Sequence, residues 1–216
     1  MTRFINILLF SCTAALAAAG PLAAQELWEL GVAGGYGFSK DATIENAADK
    51  ASAGLRPGPL FGIVAGNHVR SWLSGEARYM YRQNDLRLSS GGTEARLDAE
   101  SHTLHYDFLF SAGKRGRVQP FVAAGAGIRF FRGTGQNFRA QPLNRFATLT
   151  HTSEICPLIS LGGGLRIPVS SLLSVRVEVR DYMTPLPEEV IAPARGARTS
   201  GWLHDFAPFI GLSFTF

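Results

Sequence analysis

Three stretches carry residue types able to do chemistry. In His151-Thr152-Ser153-Glu154 an imidazole lies two positions from a hydroxyl. On a strand these two side chains share a face, and the His could take the Ser proton during acyl transfer. Such a pair also needs a carboxylate to orient the His, and none stands at matching strand spacing. A polar transition from loop to strand accounts for the string equally well. Glu100, His102, His105 and Asp107 are metal-ligand types. Alternation places His105 and Asp107 on one face and His102 on the other, which leaves too few ligands for a metal and points to a hydrogen-bonded pair. The glycines of GVAGGYG, residues 31–37, match no phosphate loop, because neither the lysine nor a helix follows. No catalytic residue, metal ligand or cofactor is expected.

The elements that position these residues are strands. In LSVRVEVR, residues 173–180, Leu173, Val175, Val177 and Val179 alternate with Ser174, Arg176, Glu178 and Arg180. The period of two gives one apolar and one charged face. The same reading places eight strands near residues 27–38, 58–69, 71–83, 101–112, 118–131, 154–167, 172–183 and 205–216. Each is long enough for the roughly 9 to 11 tilted residues that cross a bilayer. Tight turns are expected at Arg70-Ser71, at Gly113-Lys114-Arg115-Gly116-Arg117 and at Pro168-Val169-Ser170-Ser171. The other connections, near 39–57, 84–100, 132–153 and 184–204, are long and rich in Gly, Pro, Asn, Ser and charge. Strict alternation of short and long connections is the layout of an all-β, eight-stranded antiparallel transmembrane up-and-down barrel, with short periplasmic turns and four long extracellular loops. Residues 1–24, with Arg3, an apolar run and a small-residue exit at Ala23-Ala24, read as a cleaved signal peptide, leaving 25–216 as the barrel domain. That leaves Cys156 alone, so no intramolecular disulfide is expected.

Parity sorts the faces. The outward set, among them Leu30, Val32, Leu104, Phe108, Val122, Ile128, Leu161, Ile210 and Leu212, contains no charge. Arg or Lys there would cost about 2 to 4 kcal/mol at the bilayer midplane. Aromatics collect at the strand ends as two girdles: Trp28, Trp72, Phe110 and Phe216 on the turn side, with Phe38, Tyr79, Tyr81, Phe130 and Trp202 on the loop side. The inward set holds Glu29, Glu76, Arg78, Arg82, His105, Asp107, Arg129, Arg166, Arg176, Glu178 and Arg180 among many glycines. An eight-stranded barrel is only wide enough for side chains to fill it, so these charges are expected to pair as a plug. A narrow pore for small solutes or ions is the alternative. The formal net charge of +4 does not indicate nucleic-acid binding, because the basic residues alternate with apolar ones inside strands and form no exposed stripe.

With this layout the chain resembles the small outer-membrane β-barrel proteins of Gram-negative bacteria, of the OmpA/OmpX type. Gly211, Phe214 and Phe216 match the Gly-x-x-aromatic-x-aromatic pattern of that family's last strand, although Phe209 stands where the family usually has a polar residue. The resemblance implies location in the cell outer membrane, recognition of Gly211, Phe214 and Phe216 by the barrel-assembly machinery, and contact with outer-membrane lipid and lipopolysaccharide. It also brings a second alternative, a lipid A modifying hydrolase using His151 and Ser153, since lipid A deacylases carry His-x-Ser. Those enzymes follow the Ser with Asn, where Glu154 stands here. The expected reading is a non-enzymatic, monomeric membrane protein with a structural or surface-interaction role carried by its loops. In the third loop Phe138, Arg139, Arg145 and Phe146 read as a sticky surface, and Pro185, Pro187 and Pro193 should stiffen the fourth.

Overall fold

The computed structural model describes residues 27–46, 49–112, 117–134 and 141–216. The predicted signal peptide, the turn residues 113–116 and the loop residues Phe138 and Arg139 lie outside them. The strands are β1 (Leu27–Lys40), β2 (Ala42–Asn46), β3 (Asp49–Leu55), β4 (Gly58–His68), β5 (Leu73–Ser90), β6 (Thr93–Ser111), β7 (Gln119–Gly133), β8 (Ala147–Leu149), β9 (Ser153–Pro168), β10 (Leu173–Thr184), β11 (Ile191–Pro193), β12 (Arg198–Ser200) and β13 (Leu203–Thr215). Eight of them close a barrel in the cyclic order β1, β4, β5, β6, β7, β9, β10, β13, every neighbour antiparallel. Closure pairs the ladder groups of every barrel strand, which is the condition for a sheet to sit in lipid. The final rung joins the two ends of the chain described: Trp28 N donates to Phe216 O at 3.0 Å, and Phe216 N to Trp28 O at 2.9 Å.

The faces follow the alternation. Leu30, Val32, Phe108, Val122, Ile128 and Ile210 are exposed on the outer wall, while Glu29, Arg78, Asp107, Arg176 and Glu178 are buried within. At the turn end Trp72 stacks on Phe110, with ring centroids 6.1 Å apart. At the loop end Tyr79 donates to or accepts from His102 Nδ1 at 2.7 Å, and Tyr81 and Phe130 flank the same ring.

The connections at the loop end differ from the sequence expectation. Residues 84–100 are not a loop: β5 and β6 stay paired from Leu73↔Phe110 to Ser90↔Thr93 and turn on Gly91 and Gly92 alone. Both glycines have positive φ, 55° and 80°, as a two-residue hairpin turn of the primed type requires. The first connection is likewise ordered into the β2–β3 ladder, with β3 added to the edge of β5. The third and fourth connections pair with others: β8 with β11, and β12 with β2.

These segments enclose an apolar core that includes Ile44, Leu55, Leu86, Leu88, Leu97, Leu143, Phe146, Leu149, Val190 and Ile191, all at most 3% exposed. Burying each such side chain contributes about 1.5 to 3 kcal/mol. Polarity therefore inverts along β5 and β6. In the membrane-spanning half the inner face is charged and the outer apolar; beyond it Leu86, Leu88, Ala95 and Leu97 turn inward, while Arg96 and Glu94 meet solvent.

Candidate functional site

Each of the eleven predicted lumen residues projects into the barrel. Glu29 comes from β1, Glu76, Arg78 and Arg82 from β5, His105 and Asp107 from β6, Arg129 from β7, Arg166 from β9, and Arg176, Glu178 and Arg180 from β10; all are buried. They form two groups. Nearer the turns, Arg166 binds Glu29 at 2.8 Å, and Arg176 binds Glu76 at 2.6 Å with Glu29 at 3.6 Å. Arg78 bridges Glu76 and Glu178, the latter at 2.5 Å, and Arg180 bridges Asp107 at 2.8 Å and Glu178 at 3.3 Å. His105 Nε2 lies 3.2 Å from Asp107. Each carboxylate serves at least two cationic or imidazole partners, which is how charge is tolerated in a low-dielectric interior.

Backbone glycine makes room for this packing. A Cβ at Gly125 would strike the Asp107 carboxylate, and one at Gly162 would strike the Arg180 side chain. Both are neighbours across a ladder, Gly125 of Asp107 and Gly162 of Arg180. Long charged side chains thus fill space their strand partners leave empty.

The second group is a clamp in which Arg82 and Arg129 share Asp205 on β13, with Arg129 Nη1 2.9 Å from Oδ2. Arg82 also donates to Gly37 O at 3.2 Å and Arg56 O at 2.8 Å, and Arg129 to Ser101 Oγ at 3.1 Å. Asp205 stands outside the predicted lumen set. The signal was present, since Asp205 shares the parity of Gly211, Ser213 and Thr215 on the last strand. Between clamp and lower group lies an apolar belt of Leu60, Met80, Leu158, Tyr182, Ala207 and Phe209. Met80 stands midway between Arg78 and Arg82 on β5. Phe209 packs edge-on to Tyr182 at 6.3 Å, so the residue that departs from the last-strand pattern belongs to this belt.

The other candidates stay apart. His151 and Ser153 are both exposed, and among the described residues no hydrogen bond joins them; Glu154 instead accepts from the Glu189 backbone N at 2.7 Å. His102 pairs with Tyr79 on the outer wall, away from His105. Among the described residues there is no group of three or more potential metal ligands. Phe146, expected on a sticky surface, is instead fully buried, because the loops supply an apolar interior for it; Arg145 covers its ring at 4.8 Å and reaches Asp49 at 3.3 Å. At the hairpin tip, outside the membrane span, the hydrogen bond from Arg96 Nε holds the Glu94 carboxyl below its ordinary range. Of the last-strand pattern, Phe214 and Phe216 lie exposed on the outer wall, 57% and 69%, and Gly211 takes the inward parity.

Two solved structures share the fold. Neisserial surface protein A is 9% identical at a TM-score of 0.53, with 88% of this chain and 97% of that chain covered. The outer membrane protein OprG from Pseudomonas aeruginosa is 12% identical at 0.52, covering 87% and 95%. Comparison with curated protein sequences returned no match. The model of the outer membrane protein beta-barrel domain matches residues 8–188, most of the chain. With its closed barrel and inverted faces, the chain belongs to the outer membrane protein beta-barrel domain family.

Proposed function

We propose that this chain is a monomeric, non-conducting barrel of the cell outer membrane, exported by residues 1–24, whose task is carried by the surface of its folded loop end. The observation that carries the reading is the apolar core built from all four long connections, stacked on the Arg82–Asp205–Arg129 clamp and the lower charge network. Charge network, apolar belt, clamp and loop core occupy successive levels of the lumen, and a water-filled path would have to break several of them. The narrow pore gains no supporting observation from this packing. A rigid platform for surface interaction fits a loop end with cross-connection ladders better than four independent flexible loops would.

Lipopolysaccharide is the partner the outer surface suits. Lys40 and Arg132 are exposed at the loop end of the wall, near the girdle residues Phe38 and Phe130. Anionic headgroups of an outer leaflet would meet these cations while the aromatics sit at the interface. Gly211, Phe214 and Phe216 are proposed as the feature read during barrel assembly. The test of the surface reading is urea unfolding in bilayers with and without lipopolysaccharide. The midpoint should rise with lipopolysaccharide, and the Lys40→Gln/Arg132→Gln double variant should lose most of the rise. An equal rise in both would reject contact at these residues.

A further inference from the structure

At the turn end the lumen opens into a cavity of about 180 Å³. Its lining differs from the rest of the lumen. Serines from several strands and turns surround it, with His68, Arg117, Gln119, Arg166 and Ser174, and among the described residues no carboxylate lines it. Three lining side chains carry a buried polar atom that has no hydrogen-bond partner: Gln119 Nε2, Arg166 Nε and Ser174 Oγ. Gln119 and Ser174 are 6% exposed and Arg166 is 9%. They come from the adjacent strands β7, β9 and β10, where Gln119 pairs with Arg166 and Arg166 with Arg176 across the ladders.

All three orphaned groups can donate. A buried donor left unmade costs about 1 to 3 kcal/mol, so an acceptor within reach of these groups would be favoured. Arg166 uses Nη2 on Glu29, and its Nε is left without a hydrogen-bond partner. Arg117, exposed at the rim, makes no ion pair among the described residues. Nearer the turns four arginines (Arg78, Arg166, Arg176, Arg180) balance four carboxylates (Glu29, Glu76, Asp107, Glu178), so the positive charge left over for an anion at the mouth is that of Arg117.

We infer that this vestibule binds a phosphate group, through Arg166, Gln119 and Ser174 with Arg117 at the rim. A tetrahedral oxyanion offers several acceptors to donors arriving from three directions, and guanidinium matches its geometry. The cavity is far larger than the roughly 15 Å³ one water needs, and it accommodates a phosphate with some of its hydration. The phosphate could belong to a free anion or to a lipid headgroup of the adjoining leaflet; both present the same chemistry to these donors.

The test uses the full-length folded protein in phosphate-free nonionic detergent, titrated with inorganic phosphate and followed by ³¹P line broadening. Saturable binding is expected, weakened about tenfold or more by Ser174→Ala or Gln119→Leu, as loss of a hydrogen bond to a charged group implies. These two substitutions remove unpartnered groups and should leave the barrel folded; Arg117→Gln, at the exposed rim, adds a weakening that no folding defect can mimic. In nanodiscs, a wild-type phosphatidylglycerol ³¹P signal broadened relative to the variants assigns the site to lipid, whereas broadening by inorganic phosphate alone assigns it to a free anion. Absence of saturable broadening in both arms, or binding unchanged in all three variants, overturns the inference and leaves water as the occupant. Bilayer conductance plays no part in this readout, so its failure is distinct from failure of the sealed-barrel reading.

Discussion

Asp205→Ala tests the clamp most severely. Arg82 and Arg129 both rely on this one carboxylate, and their side chains are 2% and 3% exposed. Removing one partner of a buried ion pair costs about 3 to 5 kcal/mol, because the other charge stays desolvated. Here two guanidiniums lose their acceptor, which would raise the figure. Arg82 keeps the carbonyls of Gly37 and Arg56, and Arg129 keeps Ser101, which lowers it. The two corrections oppose, so about 3 to 5 kcal/mol stands for the whole site. The assay is equilibrium urea unfolding in nonionic detergent, followed by the fluorescence of Trp28, Trp72 and Trp202, with the midpoint shift converted through an unchanged m-value. Asp205→Asn, which retains one acceptor and the volume, should lose less. The combination Asp205→Leu, Arg82→Met and Arg129→Met should recover most of the loss, since an apolar replacement of similar volume removes the uncompensated charge. A loss below about 1 kcal/mol for Asp205→Ala, the range of exposed ion pairs, would refute burial as the reason the clamp matters.

The loop core predicts a different failure. Phe146→Ala should cost the loop end about 3 to 5 kcal/mol, as large-to-small substitutions in a core do, exposing it to limited proteolysis while the barrel keeps its heat-dependent gel mobility. Gly92→Val should weaken the β5–β6 hairpin by about 1 to 2 kcal/mol, because a β-branched residue is strained at φ 80°; amide exchange near the tip would report it. Gly162→Val should destabilise the barrel itself, since the added side chain displaces Arg180, and its unfolding midpoint should fall. Deleting Phe216 should reduce the amount of protein assembled in the outer membrane more than it reduces the unfolding midpoint of barrels that do form. Incubation with lipid A should leave acyl masses unchanged, since among the described residues no hydrogen bond joins His151 to Ser153; a lost acyl chain would reinstate the hydrolase.

Much of the barrel was legible because lipid imposes a one-sided rule. Alternation in LSVRVEVR has a single reading when one face must be apolar and the other cannot be. The same rule hid the loop end. Asp85-Leu86-Arg87-Leu88 and Ala95-Arg96-Leu97-Asp98 alternate as strictly as any spanning strand, and Gly91-Gly92 is a hairpin signal. Beyond the membrane, however, the apolar side is the inside, as in a water-soluble sheet, and the polar composition of 84–100 reads as loop when the rule for lipid is carried too far. The short ladders between β8 and β11 and between β12 and β2 were not legible at all. Each joins residues more than forty positions apart through three rungs, and nothing local in a three-residue strand names its partner. The lumen charges were readable by parity one strand at a time, yet which arginine meets which carboxylate depends on register around the whole barrel. Asp205 shows the limit of reading strands singly: its role appears only when Arg82 and Arg129 approach it from across the lumen.

Planar-bilayer recording of the purified full-length barrel measures directly whether this lumen is sealed. Silent membranes are expected from the wild-type protein across the voltage range and at high salt, under conditions where a known porin added to the same membrane gives steps. Reproducible discrete conductance from the wild-type barrel, altered in size by Arg82→Ala or Glu178→Gln, would contradict the account and return the chain to the pore reading.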